Sequence, residues 1–399
     1  MPVCGRAAAA SFAVSSAWAQ ILMNSGPGGP RLNGTDLAVL EAGEKRQDLP
    51  CDLTPDKPVL GFDMRFHTGF DVSVPLRELS GSENLLTILF RVTPENQKDT
   101  VRYFTQRIRV PSVEEDAKGE AYLEGGVDLG EGKYKVEWLM RDRAERVCAH
   151  SWDVEASLPN KDRQMALVMP PNAVEAMHPD QFQPEPAVQR EGESLLHVKL
   201  IVNFAPQRPT ASSLRPSDLA ALVSMLRTLA RDPRIGKFSL VAFNMSDQKV
   251  FHRQESVDRI DFPSLGKSLD RVAVGTVNLK NMMVKNSATQ FLTKLIADEC
   301  GSSVNADAVI FAGPKALLEQ NVPDEELKKA ELHYPVFYLN YVLNPFATPW
   351  RDAIGNAVKA LKGLEYSVTR PRDLWFSVSE MVGKISKTRN GKQVAAVSP

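Results

Sequence analysis

The 399-residue chain is poor in the features that define several large classes of protein. Its four cysteines are too few for a disulfide-rich scaffold. Its six histidines are scattered, and none belongs to an H-E-x-x-H motif or a Cys/His zinc spacing. A Walker A motif, a G-x-S-x-G elbow and a G-x-G-x-x-G fingerprint are also missing. We therefore expect no cofactor and no enzymatic activity.

Charge is equally balanced, with 48 Lys and Arg against 49 Asp and Glu and a formal net charge of −1. Proteins that bind nucleic acid normally carry a basic excess on one face or along one helix. The balance therefore predicts that nucleic acid is not a partner of this protein.

Long hydrophobic runs are absent too, because no stretch reaches the roughly 18–20 residues that a membrane span needs. The run at residues 7–17, which is small, apolar and free of charge, follows a single positive charge at Arg6. It leads into Ala17-Trp18-Ala19, the small-x-small pattern of a signal peptidase site. We predict a signal peptide at 1–19, cleaved near Ala19, and a secreted or periplasmic protein without a membrane span. A disordered alanine-rich terminus or a misplaced start codon is the alternative.

Removal of that signal would leave three cysteines, Cys51, Cys148 and Cys300. Cys51 and Cys148 bracket the first predicted domain, and a disulfide closing so long a loop could stabilise it by about 4–5 kcal/mol. This pair is our candidate disulfide. The alternative is that all three are unpaired buried thiols.

Changes in pattern along the chain predict its division into domains. Residues 20–57 are rich in Gly, Pro and Asn and predict a flexible leader. Residues 58–157 alternate apolar and polar positions between short turns, which is typical of an all-β sandwich. Residues 158–193 form a proline-rich linker that should run extended. In residues 194–387 strands alternate with helices, which predicts a mainly parallel sheet with helices on both faces. The polar, basic residues 388–399 predict a disordered tail.

One turn specifies the type of sandwich. Gly130 precedes a strand in which Tyr134, Val136 and Trp138 share one face. This resembles the tyrosine corner of immunoglobulin-like sandwiches, in which the phenol hydroxyl bonds back to the backbone. The alternative is an ordinary strand tyrosine. Either way, we expect this face to be core.

In the second domain, a helix is predicted from Ser217 to Arg231, with Ser217 as its cap. Open parallel sheets bind ligands at the carboxyl ends of their strands. The residues that follow the first and central strands, around Asn203 and Gly313, therefore determine what this domain binds. Thr276 lies between them in sequence, ahead of another helix.

At these positions the chain, from about Leu195 to Lys387, resembles the von Willebrand factor A-type domain, as in VWFA-related bacterial extracytoplasmic proteins. That family holds a divalent cation with Asp-x-Ser-x-Ser after its first strand, a later Thr, and an Asp after its central strand. The first motif aligns with Asn203, Ala205 and Gln207, and Thr276 matches the threonine. Gly313 stands where the second aspartate is expected. Hard dications need charged oxygen ligands, so we expect no metal at this degenerate site.

We therefore expect a non-enzymatic protein-binding or scaffold module that captures an unidentified protein partner through a metal-free rim. The candidate binding residues are Asn203, Phe204, Gln207, Arg208, Thr276, Gly313 and Lys315. One alternative is weak divalent-cation-dependent adhesion, with Asn203, Thr276 and an acid from elsewhere as ligands. The other is a hydrolase with a site between the two domains.

Overall fold

The computed structural model describes residues 21–23, 34–43, 45–97, 99–177, 181–191, 195–208, 211, 214–273, 286–301, 304–318, 320, 322–323, 325, 327, 332–343 and 351–397. The chain divides into two compact units, Met1–Pro179 and Asp180–Pro399. The division falls inside the stretch that the sequence predicts as a linker. The structure is rich in β-sheet and also contains several helices.

The described residues of the first unit form two antiparallel sheets, one α-helix and two short 3₁₀ helices. One sheet has the order β1-β7-β6-β9-β10-β2, and the other has the order β11-β8-β5-β3, with β4 paired to β5. The elements are β1 (Ile21–Met23), α1 (Gly34–Ala42), β2 (Arg46–Gln47), β3 (Asp52–Pro55), β4 (Val59–Leu60), β5 (Phe66–Pro75), β6 (Asn84–Pro94), β7 (Arg102–Val110), β8 (Glu120–Leu129), β9 (Gly132–Arg141), β10 (Val147–Ala156) and β11 (Val174–Ala176).

Aromatic side chains join the inner faces of these two sheets. Phe70 of β5 meets Phe90 of β6 edge-on, with ring centroids 5.6 Å apart, and meets Trp138 of β9 at 5.4 Å. All three side chains are almost completely buried. Edge-to-face aromatic pairs add about 0.5–1.5 kcal/mol beyond the burial of their area. The period-two pattern therefore arises because alternate residues of each strand enter this layer.

The tyrosine corner forms the predicted hydrogen bond. Tyr134 is fully buried, and its hydroxyl donates to the carbonyl of Gly130 at 2.8 Å. Val136 and Trp138 are buried on the same strand, as expected.

The stretch predicted as a flexible leader, 20–57, contributes to the first unit wherever the structure describes it. Leu40 of α1 is buried with Leu89 and Leu139 of the sheet. Asp36 of the same helix forms an ion pair with Arg141 at 3.2 Å. The sequence predicted a flexible leader here because such short elements show no sustained hydrophobic period.

The predicted linker, 158–193, is likewise bound along its described parts. Val174–Ala176 pairs with β8 in the first unit. In the second unit, the side chain of Glu185 is 8% exposed and forms ion pairs with Arg227 and Arg231. Proline spacing predicts an extended backbone, but it carries no information about such side-chain anchors.

The second unit is built on a sheet in the order β14-β13-β12-β15-β16-β17. β14 is antiparallel to β13, and the other described pairs are parallel. The elements are β12 (Leu196–Asn203), α2 (Pro216–Ala230), β13 (Ile235–Asn244), β14 (Lys249–Val257), α3 (Phe262–Ala273), α4 (Ser287–Glu299), β15 (Ala308–Gly313), β16 (Val336–Tyr341), α5 (Ala353–Ala360), β17 (Leu364–Val368) and α6 (Pro371–Val397). None of the described helices combines the length and apolar character that a membrane crossing requires.

Helix ends differ from the sequence expectation at two places. Arg215 is the N-cap of α2 and Pro216 opens the helix, so Ser217 is not the cap. Proline suits the first helical position because its missing N–H would have no intrahelical partner there. Helix α6 continues to Val397, within the segment predicted as a tail, and Arg389 pairs with Asp307 at 2.8 Å.

Candidate binding edge of the second unit

The carboxyl ends of three neighbouring strands bring predicted site residues together. Asn203 ends β12, Gly313 ends β15, and Gly313 is in register with Asn340 of β16. The chain passes from β12 to β13 on one side of β12 and later returns to form β15 on its other side. Such a reversal of strand order is the switch point at which α/β sheets bind ligands. We call this row and the loops that follow it the strand-end edge.

Asn203 is buried, with 1% of its surface exposed. Its Oδ1 accepts a hydrogen bond from the backbone N–H of Met245 at 3.1 Å. Its Nδ2 has no hydrogen-bond partner among the described residues. The one side-chain oxygen at this position is therefore already used within the fold.

Gly313 adopts a φ of 138°, a conformation that favours glycine. A Cβ atom on this residue would lie 2.7 Å from the carbonyl oxygen of Asn203 and 2.8 Å from its Cβ. Both separations are too short for real contacts. The position aligned with the second acidic ligand thus leaves no room for any side chain, including a carboxylate.

Two further buried polar groups at this edge lack partners in the part of the chain that is described. The Oδ1 of Asn340 and the hydroxyl of Tyr341 have none, and both residues are 0% exposed. The Nδ2 of Asn340 donates to Glu365 at 2.8 Å. Burial raises the pKa of Tyr341 above its usual range, and the charge of Asp218 adds to the effect. Buried polar groups are nearly always hydrogen-bonded, so these groups call for water or a partner.

The buried carboxylate of Asp218, in the first turn of α2, is committed to an arginine. Arg215 donates to it through Nε at 3.1 Å and through Nη2 at 3.0 Å. Such bidentate pairs fix both side chains. Asp218 is therefore poorly placed to ligate a metal.

Asp352 is another carboxylate at this edge, and it caps α5. Its Oδ2 has no hydrogen-bond partner among the described residues. Its Oδ1 accepts from the backbone N–H groups of Ala316 and Ile354, each at 3.1 Å. Burial raises its pKa, and the nearby charge of Lys315 opposes that rise. This carboxylate holds the loop after β15 against the helix.

The other candidate residues fall into three groups. Phe204 and Gln207 are buried, and Phe204 packs against Phe251 with ring centroids 5.6 Å apart. Arg208 is exposed and Lys315 is half-buried, so both can reach solvent. Thr276 lies outside the described residues. Phe204 and Gln207 were expected to contact a partner at the surface, but both are buried. The order of residues does not give the direction of a side chain just beyond the end of a strand.

Leu317 was not among the candidates, although it is 44% exposed in the loop that follows Gly313. Its signal in the sequence was adjacency to the central strand. A leucine there is equally typical of core.

In the first unit, Cys51 and Cys148 form a disulfide with their Cα atoms 6.3 Å apart. The bond closes a loop with a sequence separation of 97. Cys300, in the second unit, is buried as a free thiol. Burial raises its pKa to about 12, so it is not a reactive thiolate at neutral pH.

A cluster that sequence reasoning missed lies on β5 and β8 of the first unit. Nε2 of His67 is 3.0 Å from Asp63 Oδ1, and its Nδ1 is 2.8 Å from Asp128 Oδ1. Arg65 also pairs with Asp128 at 3.4 Å. Because each ring nitrogen of His67 faces a carboxylate oxygen, both carry protons and neither offers a lone pair to a metal. The only local signal was the i, i+4 spacing of Asp63 and His67.

No known protein-family model matches the chain, and no curated protein matches it. Among solved structures, an aerotolerance-related membrane protein from Bacteroides fragilis is 11% identical, covering 47% of this chain and 99% of that one, with a TM-score of 0.30. The PilB minor pilin of Streptococcus sanguinis is 9% identical, covering 77% and 88%, with a TM-score of 0.25. A family 2 glycosyl hydrolase from Bacteroides cellulosilyticus is 9% identical, covering 80% and 38%, with a TM-score of 0.19. Likenesses this weak carry no argument about fold or function.

Proposed function

We propose that this chain is a non-enzymatic, extracytoplasmic protein-binding module. In this proposal its second unit is a von Willebrand factor A-type domain that has lost the metal site, and its first unit is an immunoglobulin-like sandwich. The strand order, with β14 antiparallel at one edge and β12 at the centre, supports the first assignment. The tyrosine corner at Tyr134 supports the second.

The observation that carries the proposal is the filled space at Gly313. A hard dication needs several charged oxygens, yet a side chain on Gly313 would collide with the backbone of Asn203. The oxygen of Asn203 already accepts from Met245. A partner's carboxylate would therefore need a different cation at this edge.

Side-chain cations and helix termini supply that positive charge. Arg208 and Lys315 follow β12 and β15 directly, and both reach solvent. Helices α2 and α5 begin in the loops after β12 and β16, so their positive dipole ends lie at the same edge. Arg215 binds the carboxylate of Asp218, and the Oδ1 of Asp352 accepts from two backbone N–H groups. We infer that the partner presents an acidic segment, which Arg208 and Lys315 bind in place of a metal.

The test is capture of a partner from the envelope fraction of the producing cell, with the immobilised chain in the presence of EDTA. We expect capture to survive EDTA and to fall at least about tenfold in an Arg208→Glu/Lys315→Glu variant, the loss expected from about 1.4 kcal/mol or more. The matched control is Lys237→Glu, which reverses an exposed charge near the start of β13. Phe204 and Gln207 are left intact because their truncation would disturb the core.

Two results would contradict the proposal. Loss of capture in EDTA would favour cation-dependent adhesion, and equal capture by the charge-reversed variant would place the binding surface elsewhere. Calorimetry with millimolar Mg²⁺, Ca²⁺ or Mn²⁺ should give no binding heat at the strand-end edge, because the described residues bring no group of three or more Cys, His, Asp or Glu side chains together there.

A further inference from the structure

The disulfide of the first unit has a histidine beside it. His150 follows Cys148 by two residues on β10, so both side chains lie on the same face of the strand. The Nε2 of His150 is 3.8 Å from the Sγ of Cys51. The two sulfurs and the imidazole nitrogen all lie within 4.8 Å of one another.

The neighbouring strand β9 places a methionine and a tryptophan opposite these residues. In the β9–β10 register, Met140 faces Cys148 and Trp138 faces His150. Directly opposed side chains in an antiparallel pair lie on the same face, with Cβ atoms about 4.5–5.5 Å apart. Met140 and Cys148 are both fully buried. Met140 is thus the residue directly opposite Cys148 in the sheet.

The spacing of these groups matches that of ligands sharing one metal ion. A metal–sulfur bond of about 2.3 Å and a metal–nitrogen bond of about 2.0 Å at a trigonal angle separate sulfur and nitrogen by about 3.7 Å. The observed separation of Cys51 Sγ and His150 Nε2 is 3.8 Å. Only the Cys148 sulfur has to move, and it is freed when the disulfide opens.

The imidazole of His150 faces sulfur and not a carboxylate. Its Nε2 lies 3.8 Å from the Sγ of Cys51, whereas both ring nitrogens of His67 face carboxylate oxygens.

We propose that the reduced form of this unit binds one Cu(I) ion between the thiolates of Cys51 and Cys148 and the Nε2 of His150. Thiolate, thioether and imidazole groups form a soft ligand set, which selects Cu(I). Zn²⁺ in a closed site takes four ligands, whereas Cys and His residues here supply three. The proposal concerns the first unit and is independent of the strand-end edge.

Opening the site requires a two-electron reductant, such as a dithiol donor. One donor thiolate attacks the half-buried Cys51 sulfur, the S–S bond breaks, and the Cys148 sulfur leaves and takes up a proton. The second donor thiol then displaces Cys51, which also becomes a thiol, while the donor is left as a disulfide. Two electrons and two hydrogens pass from donor to protein. Cu(I) then replaces the two thiol protons.

The experiment uses the full chain with Cys4→Ser and Cys300→Ser, so that only Cys51 and Cys148 supply thiols. Cu(I) is offered as its bicinchoninate complex to the oxidised chain and to the chain reduced with a phosphine. We expect one Cu(I) per reduced chain and none per oxidised chain. His150→Gln should weaken Cu(I) binding about tenfold or more, whereas the control His197→Gln, a half-buried histidine of the second unit, should leave it unchanged.

Because reduction could also unfold the first unit, two further readouts are needed. They are the near-ultraviolet circular dichroism, to which buried Trp138 and half-buried Trp152 contribute, and the melting temperature. Cu(I) should raise the melting temperature of the reduced chain, but not that of a Cys51→Ser variant. The proposal is overturned if His150→Gln binds Cu(I) as tightly as the parent chain, or if Cu(I) fails to restore or raise folded signal after reduction. Retention of Zn²⁺ against equimolar Cu(I) would overturn the choice of ion.

Discussion

The charged cluster around His67 should make the first unit less stable at alkaline pH. Burial alone would lower the pKa of His67, but hydrogen bonds and charge from Asp128 and Asp63 outweigh burial and raise it to about 10. The folded state therefore holds this proton more tightly than the unfolded chain does. The resulting stabilisation is complete below a pH of about 6.5 and is lost as pH rises through about 10.

The size of this effect follows from the shift and from exposure. A shift from 6.5 to about 10 sets an upper limit near 5 kcal/mol, at about 1.4 kcal/mol per pKa unit. The His67 side chain is 32% exposed, so solvent screening reduces the expected contribution to about 2 kcal/mol. His67→Gln keeps a polar side chain but removes the charge that faces two carboxylates.

The assay is urea unfolding of the parent chain and of His67→Gln at pH 7 and pH 10.5. Substituting Trp350 and Trp375 with Phe leaves tryptophans only in the first 179 residues, so fluorescence reports that unit. We expect the variant to be less stable by about 2 kcal/mol at pH 7 and by less than 1 kcal/mol at pH 10.5. Comparing the two chains at each pH cancels the titration of other groups. A difference that stays constant between the two pH values would refute the doubly bonded imidazolium.

Three other substitutions test separate parts of the fold. Tyr134→Phe removes the hydrogen bond to Gly130 and should lower the free energy of unfolding by about 1 kcal/mol in urea titration. An unchanged free energy of unfolding would mean that this hydrogen bond makes no net contribution to stability. Gly313→Ala should cost the second unit about 2–4 kcal/mol, because it adds a collision to a left-handed conformation; a neutral result in thermal unfolding would show that the strand end can relax. Glu299→Gln removes the charge that pairs with buried Lys199 at 2.7 Å and should cost about 3 kcal/mol; hydrogen exchange of α4 that matches the parent chain would contradict this.

The strands of the first unit could be predicted from the sequence because one face of each enters a shared core. Phe70, Phe90 and Trp138 each lie at an inward-facing position of their own strand. Apolar and polar residues alternate along these strands, so the polar residues face outward. Helix α2 was predicted within one residue of its bounds, since its leucines repeat at helical spacing. The turn before Tyr134 could be predicted because Gly and Tyr carry a local hydrogen-bonding geometry.

Elements without a clean period were missed. The edge strand β14 carries polar residues such as Arg253 and Gln254 at exposed and half-buried positions, so it lacks the apolar run of a central strand. Helix α1 holds one buried leucine, Leu40, which is too few for a helical stripe. Long-range clusters were also missed, because the pairing of His67 with Asp128 depends on strand register and not on local spacing.

The strand-end edge was located by sequence, but its chemistry depends on details that sequence does not contain. The predicted strands put Asn203 and Gly313 just at their ends, and the sheet places these two residues side by side. That Gly313 excludes every side chain follows only from its backbone conformation and from the approach of Asn203. A single Gly313→Asp change therefore could not create a cation site, since the new carboxylate would first have to displace a central strand. At the same edge, the buried Nδ2 of Asn203 and Oδ1 of Asn340 have no partners in the described chain. Groups of this kind cost about 1–3 kcal/mol each when unpaired, which favours an edge that is covered by water or by another protein over one that stands empty.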